Sequence, residues 1–251
     1  MATARSMLDP TPILGLTLRQ FIGGKSIRIV FLFSLVPALF SLIFMLDSGD
    51  LTSREFFAGI FQEFIAPTLL PIATLILATN ALGNEVEDRT MVYLVLKPIS
   101  RMRIVLEKFA AVALTATLLL WEGTLLAYLL AMRGDAGNNI DQLLAICFAQ
   151  LIGVLGYGAL FMAISLIVPR ALLAGLIYAL LWESLFGRFI PGIRLVSVRH
   201  YVQSIYVRAI DNPAIDLDEA MRFVPALIVI ALLVVASLAI TTWRLQTMNL
   251  E

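Results

Sequence analysis

From Ile29 to Leu46 the chain runs for eighteen residues without a charged side chain. As a helix this stretch is about 27 Å long at 1.5 Å per residue, close to the thickness of a bilayer's hydrocarbon core. Similar runs occupy Phe64 to Gly83, Phe109 to Met132, Gln142 to Pro169, Ala171 to Gly187 and Phe223 to Trp243. Lipid offers no partner to a backbone N–H or C=O, so runs of this kind fold as helices that satisfy themselves. Composition agrees. The chain is 60% hydrophobic and 14% charged, with a mean hydropathy of +0.93, where soluble domains hold about 45–50% apolar and about 25% charged residues. The sequence therefore predicts an all-α integral membrane fold, a single transmembrane domain over residues 1–251. Its six transmembrane helices cover about 29–46, 64–83, 109–132, 142–169, 171–187 and 223–243.

Between these spans lie segments of different character. Residues 13–28 place Leu14, Leu18, Phe21 and Ile22 at helical spacing, with Arg19, Lys25 and Arg28 off the stripe. That pattern reads as an N-terminal interfacial helix, or as the polar cap of the first span. Gly23-Gly24-Lys25-Ser26 resembles the end of a phosphate-binding loop, but Arg19 stands where that loop needs its first glycine. Asp47 to Gly59 reads as a short polar loop. The first span is a poor signal peptide, because Leu46-Asp47-Ser48-Gly49 is not a small-residue cleavage pattern. Pro67 and Pro71 imply a kink in the second span. Gly153, Gly156 and Gly158 permit close helix contact in the fourth. The outer segment 188–222 has Leu195, Val198, Val202, Ile205 and Ala209 at helical spacing, and reads as an extracellular or re-entrant helix or as a surface cap.

Lys and Arg set the orientation. An N-in, C-in layout puts Arg5, Arg19, Lys25, Arg28, Arg170 and Arg244 inside, with only Arg54 and Arg133 in the first two outer loops. Five arginines in 188–222 run against the trend.

Asn84 to Lys108 is the polar exception among the inner connections. It holds five of the eighteen Lys and Arg residues, with Glu85, Glu87, Asp88 and Glu107. Asn84 can cap a helix, with Glu87 three residues on. Acidic residues fill the first turn, Lys97 stands at the far end and Pro98 stops the helix. Val86, Thr90, Tyr93 and Lys97 form one stripe, with Arg89 beside it. Ser100 can cap a second, basic helix from Arg101 to Lys108. Two readings stand: a rigid cytosolic helix that transmits force between two spans, or a solvated connector whose charges only set topology.

This stretch resembles the signature region of the ABC-2 type permeases, the membrane subunits of one class of ABC exporter. Their pattern is roughly Glu-x-Glu-x-Gly-Thr, Leu-Leu-x-x-Pro-Ile-Ser-Arg and Ile-Val-x-Gly-Lys. Here it stands as Glu85-Val-Glu87-Asp-Arg89-Thr90, Leu94-Val-Leu96-Lys97-Pro98-Ile99-Ser100-Arg101 and Ile104-Val105-Leu106-Glu107-Lys108. Arg89 and Glu107 replace two glycines of the pattern. The resemblance implies a permease in the bacterial cytoplasmic (inner) membrane that forms a homodimer. It implies a separate cytosolic ABC ATPase that carries ATP and Mg, with no cofactor in this chain. The ATPase-coupling residues would be Glu85, Glu87, Arg89, Thr90, Tyr93, Lys97, Pro98, Ser100, Arg101 and Lys108, in a coupling helix between spans 2 and 3.

Two carboxylates fall inside apolar runs, Glu122 and Glu183. Each follows a tryptophan, and each is either a polar lining of the translocation path or part of an outer aromatic belt. An ion-driven transporter or channel would favour paired broken helices in two halves, and no counterpart to the prolines of the second span is evident. A membrane enzyme would need clustered nucleophile, acid and base groups. One cysteine, Cys147, and one histidine, His200, supply neither a disulfide nor a zinc cluster. Zero net charge gives no sign of a nucleic-acid partner.

Overall fold

The computed structural model describes residues 12–46, 51–83, 85, 99–181, 197–210 and 220–248. Among them there is no strand. The helices are α1 (Pro12–Gly23), α2 (Lys25–Ser34), α3 (Val36–Leu46), α4 (Ser53–Ile60), α5 (Leu70–Ala78), α6 (Arg101–Met132), α7 (Ile140–Ile167), α8 (Ala171–Ile177), α9 (Val198–Ile210) and α10 (Phe223–Thr247). Two π-helical segments, Phe61–Leu69 and Thr79–Gly83, join α4 and α5 into one run and extend it.

Four continuous helical runs are long and apolar enough to cross a membrane: Lys25–Leu46, Ser53–Gly83, Arg101–Ile167 and Phe223–Thr247. The third has 67 residues, about 100 Å if straight, and it folds back on itself. A 3-10 turn at Arg133–Asn139 reverses it. Trp121 Nε1 on α6 then donates to the Cys147 carbonyl on α7 at 3.0 Å, and Gln150 Nε2 donates to Thr124 Oγ1 at 2.7 Å. The expected fifth span is described only as the apolar helix to Leu181, and the rest of 171–187 lies outside the described residues.

Side-chain contacts define two ends of the bundle. The basal end gathers Glu107, Lys108, Arg101, Arg244 and the start of α1. The apical end carries Arg54, bonded to Asp141 at 2.5 Å, and Arg133, which donates to the Met45 carbonyl.

The structure redraws three sequence boundaries. The stretch 13–28 is broken at Gly23–Gly24, so Lys25 and Arg28 belong to the base of the first membrane helix. Half of the expected Asp47–Gly59 loop is helix α4, started by a complete capping box between Thr52 and Glu55. The first span breaks at Leu35. Pro37 has no N–H, and Ala38 N–H reaches the Leu35 carbonyl at 3.0 Å rather than that of Ser34. The Ser34 carbonyl is covered by Gly123 of α6: a β-carbon there would lie 2.6 Å from the Ser34 carbonyl carbon and closer still to its oxygen. Only glycine permits that approach.

Helix α9 is no surface cap. Nine of its residues are buried, among them His200, Gln203, Ser204 and Tyr206. It lies along α7, with Tyr206 at Gln142 near the apical end and Val198 against Gly156. Those contacts lie eight residues apart on α9, about 12 Å along its axis. The π-helical segment around Pro67 provides its anchor. In a π turn the carbonyl of Gln62 would accept from residue 67, a proline without an N–H. Gln203 Nε2 of α9 donates to that carbonyl at 2.7 Å.

Candidate functional site

The basal end of α6 joins most of the bundle. Pro98 and the residues of the expected coupling helix from Val86 onward lie outside the described residues, as do Glu87, Arg89, Thr90, Tyr93, Lys97 and Glu183. Of the sequence candidates, the structure places Glu85, Ser100, Arg101, Lys108 and Glu122.

Lys108 is the centre. Its side chain is 0% exposed, although it is a cation immediately before Phe109, where apolar sequence begins. A buried ammonium must be paired and hydrogen-bonded. Its Nζ meets Glu85 Oε1 at 2.6 Å and donates to the Ala81 carbonyl at 2.7 Å. Ala81 lies in the π-helical segment that ends the second membrane run, and Glu85 opens the signature stretch. One side chain therefore locks the exit of one span to the entry of the next.

Arg101 stands in the first turn of α6. Ser100 occupies the N-cap position, yet its side chain makes no capping bond, contrary to expectation. Arg101 reaches across instead: its Nη1 donates to the Leu245 carbonyl in the last turn of α10 at 2.6 Å. Arg244 returns the arrangement, with Nε 3.4 Å from the Leu166 carbonyl in the last turn of α7. Terminal carbonyls have no intrahelical donor, and a guanidinium supplies one along with favourable charge at the negative end of the dipole.

Glu107, read from sequence only as a break in a pattern, has three partners. Its Oε2 accepts the Ile13 and Leu14 N–H groups at 2.8 and 3.0 Å, and its Oε1 accepts Arg103 Nε at 2.7 Å. Asn80 adds a further tie, donating to Ser26 Oγ at the base of α2. Apart from Arg103, one turn away on α6, these partners are separated by tens of residues in sequence, so no local signal marks them.

The chain matches the model of the ABC-2 family transporter protein over residues 25–196. It belongs to the ABC-2 transporter family. The matched region takes in the first membrane run, the Asn84–Lys108 stretch, the α6–α7 hairpin and the approach to α9. No curated protein matches this ABC-2 chain. Within the permease Lys108 and Glu85 are paired, and Arg101 stands two turns earlier on α6, bonded to the end of α10. Glu122 stands apart, half-buried in α6 next to Gly123 and far from the basal network.

Proposed function

We propose that this ABC-2 permease is the membrane-spanning half of an exporter in the bacterial cytoplasmic membrane. A separate ATPase chain binds ATP and Mg2+ and docks on the basal face. Two permease copies form the working unit, each with six spans and both termini inside. The grouping of Lys25, Arg28, Arg101, Lys108 and Arg244 at one end supports that orientation, since basic residues are retained on the cytoplasmic side.

The observation that carries the proposal is the buried Lys108–Glu85 pair with its bond to the Ala81 carbonyl. A segment attached so firmly to two membrane helices passes a displacement directly to both. Glu85, Glu87, Arg89, Thr90, Tyr93, Lys97, Pro98, Ser100, Arg101 and Lys108 are the proposed coupling residues. Glu122, with Glu183, is the candidate polar lining of the path, a position that a carboxylate within an apolar helix suits when it faces the bundle interior or water.

The test is purification of the chain with its ATPase, followed by charge reversal at Glu87 and at Arg101. Each reversal should abolish stimulated ATP hydrolysis while the permease stays folded and monodisperse. Full assembly and full stimulation in both variants would defeat the coupling assignment. Transport driven by an ion gradient without any ATPase would instead favour a secondary transporter.

A further inference from the structure

We infer that Glu107 is a positioning residue of the coupling machinery: its carboxylate fixes the first turn of α1 to the base of α6, beside the Lys108–Glu85 pair, so that the interfacial helix and Glu85 move as one body. The inference rests on the coupling role proposed above. The anchor itself does not.

The geometry is that of a helix cap supplied from another helix. The first N–H groups of a helix have no intrahelical acceptor, and a carboxylate placed there gains from both the hydrogen bonds and the dipole. Pro12 opens α1 and has no N–H to satisfy. Ile13 and Leu14 supply the next two, and both end on Glu107 Oε2. The second oxygen is engaged by Arg103, one turn earlier on α6. The Glu107 side chain is only 8% exposed, and Ile13 and Phe21 of α1 are buried with it. The remaining face of α1, with Leu16, Arg19, Gln20 and Ile22, is exposed. α1 is thus held at its N-terminal end and along one stripe. The glycine of the family pattern could not make this attachment.

Glu107 and Lys108 are consecutive, and their partners lie on different elements: α1 for one, Glu85 and Ala81 for the other. A push on the signature stretch that shifts Lys108 therefore carries Glu107, and with it α1. Arg101, two turns below, adds the end of α10.

Cys147 is the chain's one cysteine, so a Cys147→Ser background accepts spin labels at chosen sites. Labels at Arg19→Cys on α1 and Asn138→Cys in the apical turn, both exposed, report where α1 sits relative to the far end of α6. The chain with Glu107 intact should give one narrow distance distribution. Glu107→Ala should broaden it, and Glu107→Gln should restore it, because an amide oxygen still accepts both N–H groups. Leu14→Pro removes one donor in a turn that tolerates proline without touching α6, and should broaden the distribution partly. It serves if Glu107→Ala does not fold. In the complex with the co-purifying ATPase, Glu107→Ala should lower kcat for stimulated hydrolysis by about fivefold, the lower end of ordinary coupling between sites, with KM for ATP unchanged and Glu107→Gln near normal. Narrow distances in both Glu107→Ala and Leu14→Pro would overturn the anchor. Broadened distances with full stimulation would overturn its link to coupling. If the intact chain binds no ATPase, the proposed function fails and the distance measurement still decides the anchor.

Discussion

Gly123→Ala tests the bundle where α6 meets the break between α2 and α3. The added methyl would sit 2.6 Å from the Ser34 carbonyl carbon and 3.2 Å from Ser34 Cβ. A relaxed carbon–carbon contact needs about 3.5 Å or more, so α6 and the α2–α3 break must part by roughly 1 Å. The obstacle is backbone, which cannot swing aside as a side chain can. Overpacking of this kind costs about 1–3 kcal/mol, and a backbone obstacle places this site in the upper half, about 2–3 kcal/mol. Alanine in a helix interior returns up to about 1 kcal/mol over glycine, which leaves a net loss of about 1–2 kcal/mol. At about 2–4 °C per kcal/mol for a chain of this size, the apparent Tm in detergent should fall by roughly 2–8 °C. Gly158→Ala is the matched control. Its methyl would meet Phe109 Cε2 at 3.4 Å, an ordinary contact, so only the helix-propensity gain should register and Tm should hold or rise slightly. Thermal unfolding followed by size-exclusion monodispersity reads both. Equal Tm values for the two variants would refute the claim that this contact requires glycine.

Lys108→Met should leave Glu85 without its cation, and breaking a buried pair from one side costs about 3–5 kcal/mol; the expected result is a large fall in Tm, checked by the same melt, and Glu85→Gln should fall at least as far, because it leaves the fully buried Lys108 ammonium with neutral acceptors only. Gln203→Ala should cost about 1–3 kcal/mol by stranding the Gln62 carbonyl. In a Pro67→Ala background residue 67 regains an N–H, so the loss should shrink, and a double-mutant cycle with no interaction energy would disprove the π-turn argument.

The helices were legible in the sequence because apolar length leaves a membrane chain little choice. The start of α6 after Pro98, and a backbone carbonyl freed by the prolines of the second span, were legible because proline lacks an N–H. What escaped was whatever depended on a partner far along the chain. Glu107 looked like a departure from a family pattern, and its acceptor role became visible only with Ile13 and Leu14 packed beside it. Arg101 fell inside the signature, but nothing near it indicated the Leu245 carbonyl. Helix α4 is a different case. Its capping box, Thr52 with Glu55, stood in the sequence, and the polar composition of Asp47–Gly59 obscured it. For α9, helical spacing marked the element but not its burial, because polar groups such as Gln203 and Ser204 find partners that spacing does not reveal: Gln203 donates to the Gln62 carbonyl, and Ser204 Oγ accepts the Met221 N–H.

The burial of α9 also constrains how the protein is made. A thirteen-residue helix is too short to cross a bilayer, and Arg199, His200, Gln203 and Arg208 make it a poor substrate for lateral release into lipid, where each arginine alone costs about 2.5–3.5 kcal/mol at the centre. It cannot enter the membrane by its own partitioning. The helices that precede it must be inserted first, leaving a groove floored by Gly153 and Gly156, into which α9 then settles, with α10 packing beside it once made. Biogenesis therefore has two stages, with the second following synthesis of most of the chain, and a ribosome stalled shortly before Val198 would hold a bundle whose groove is still open.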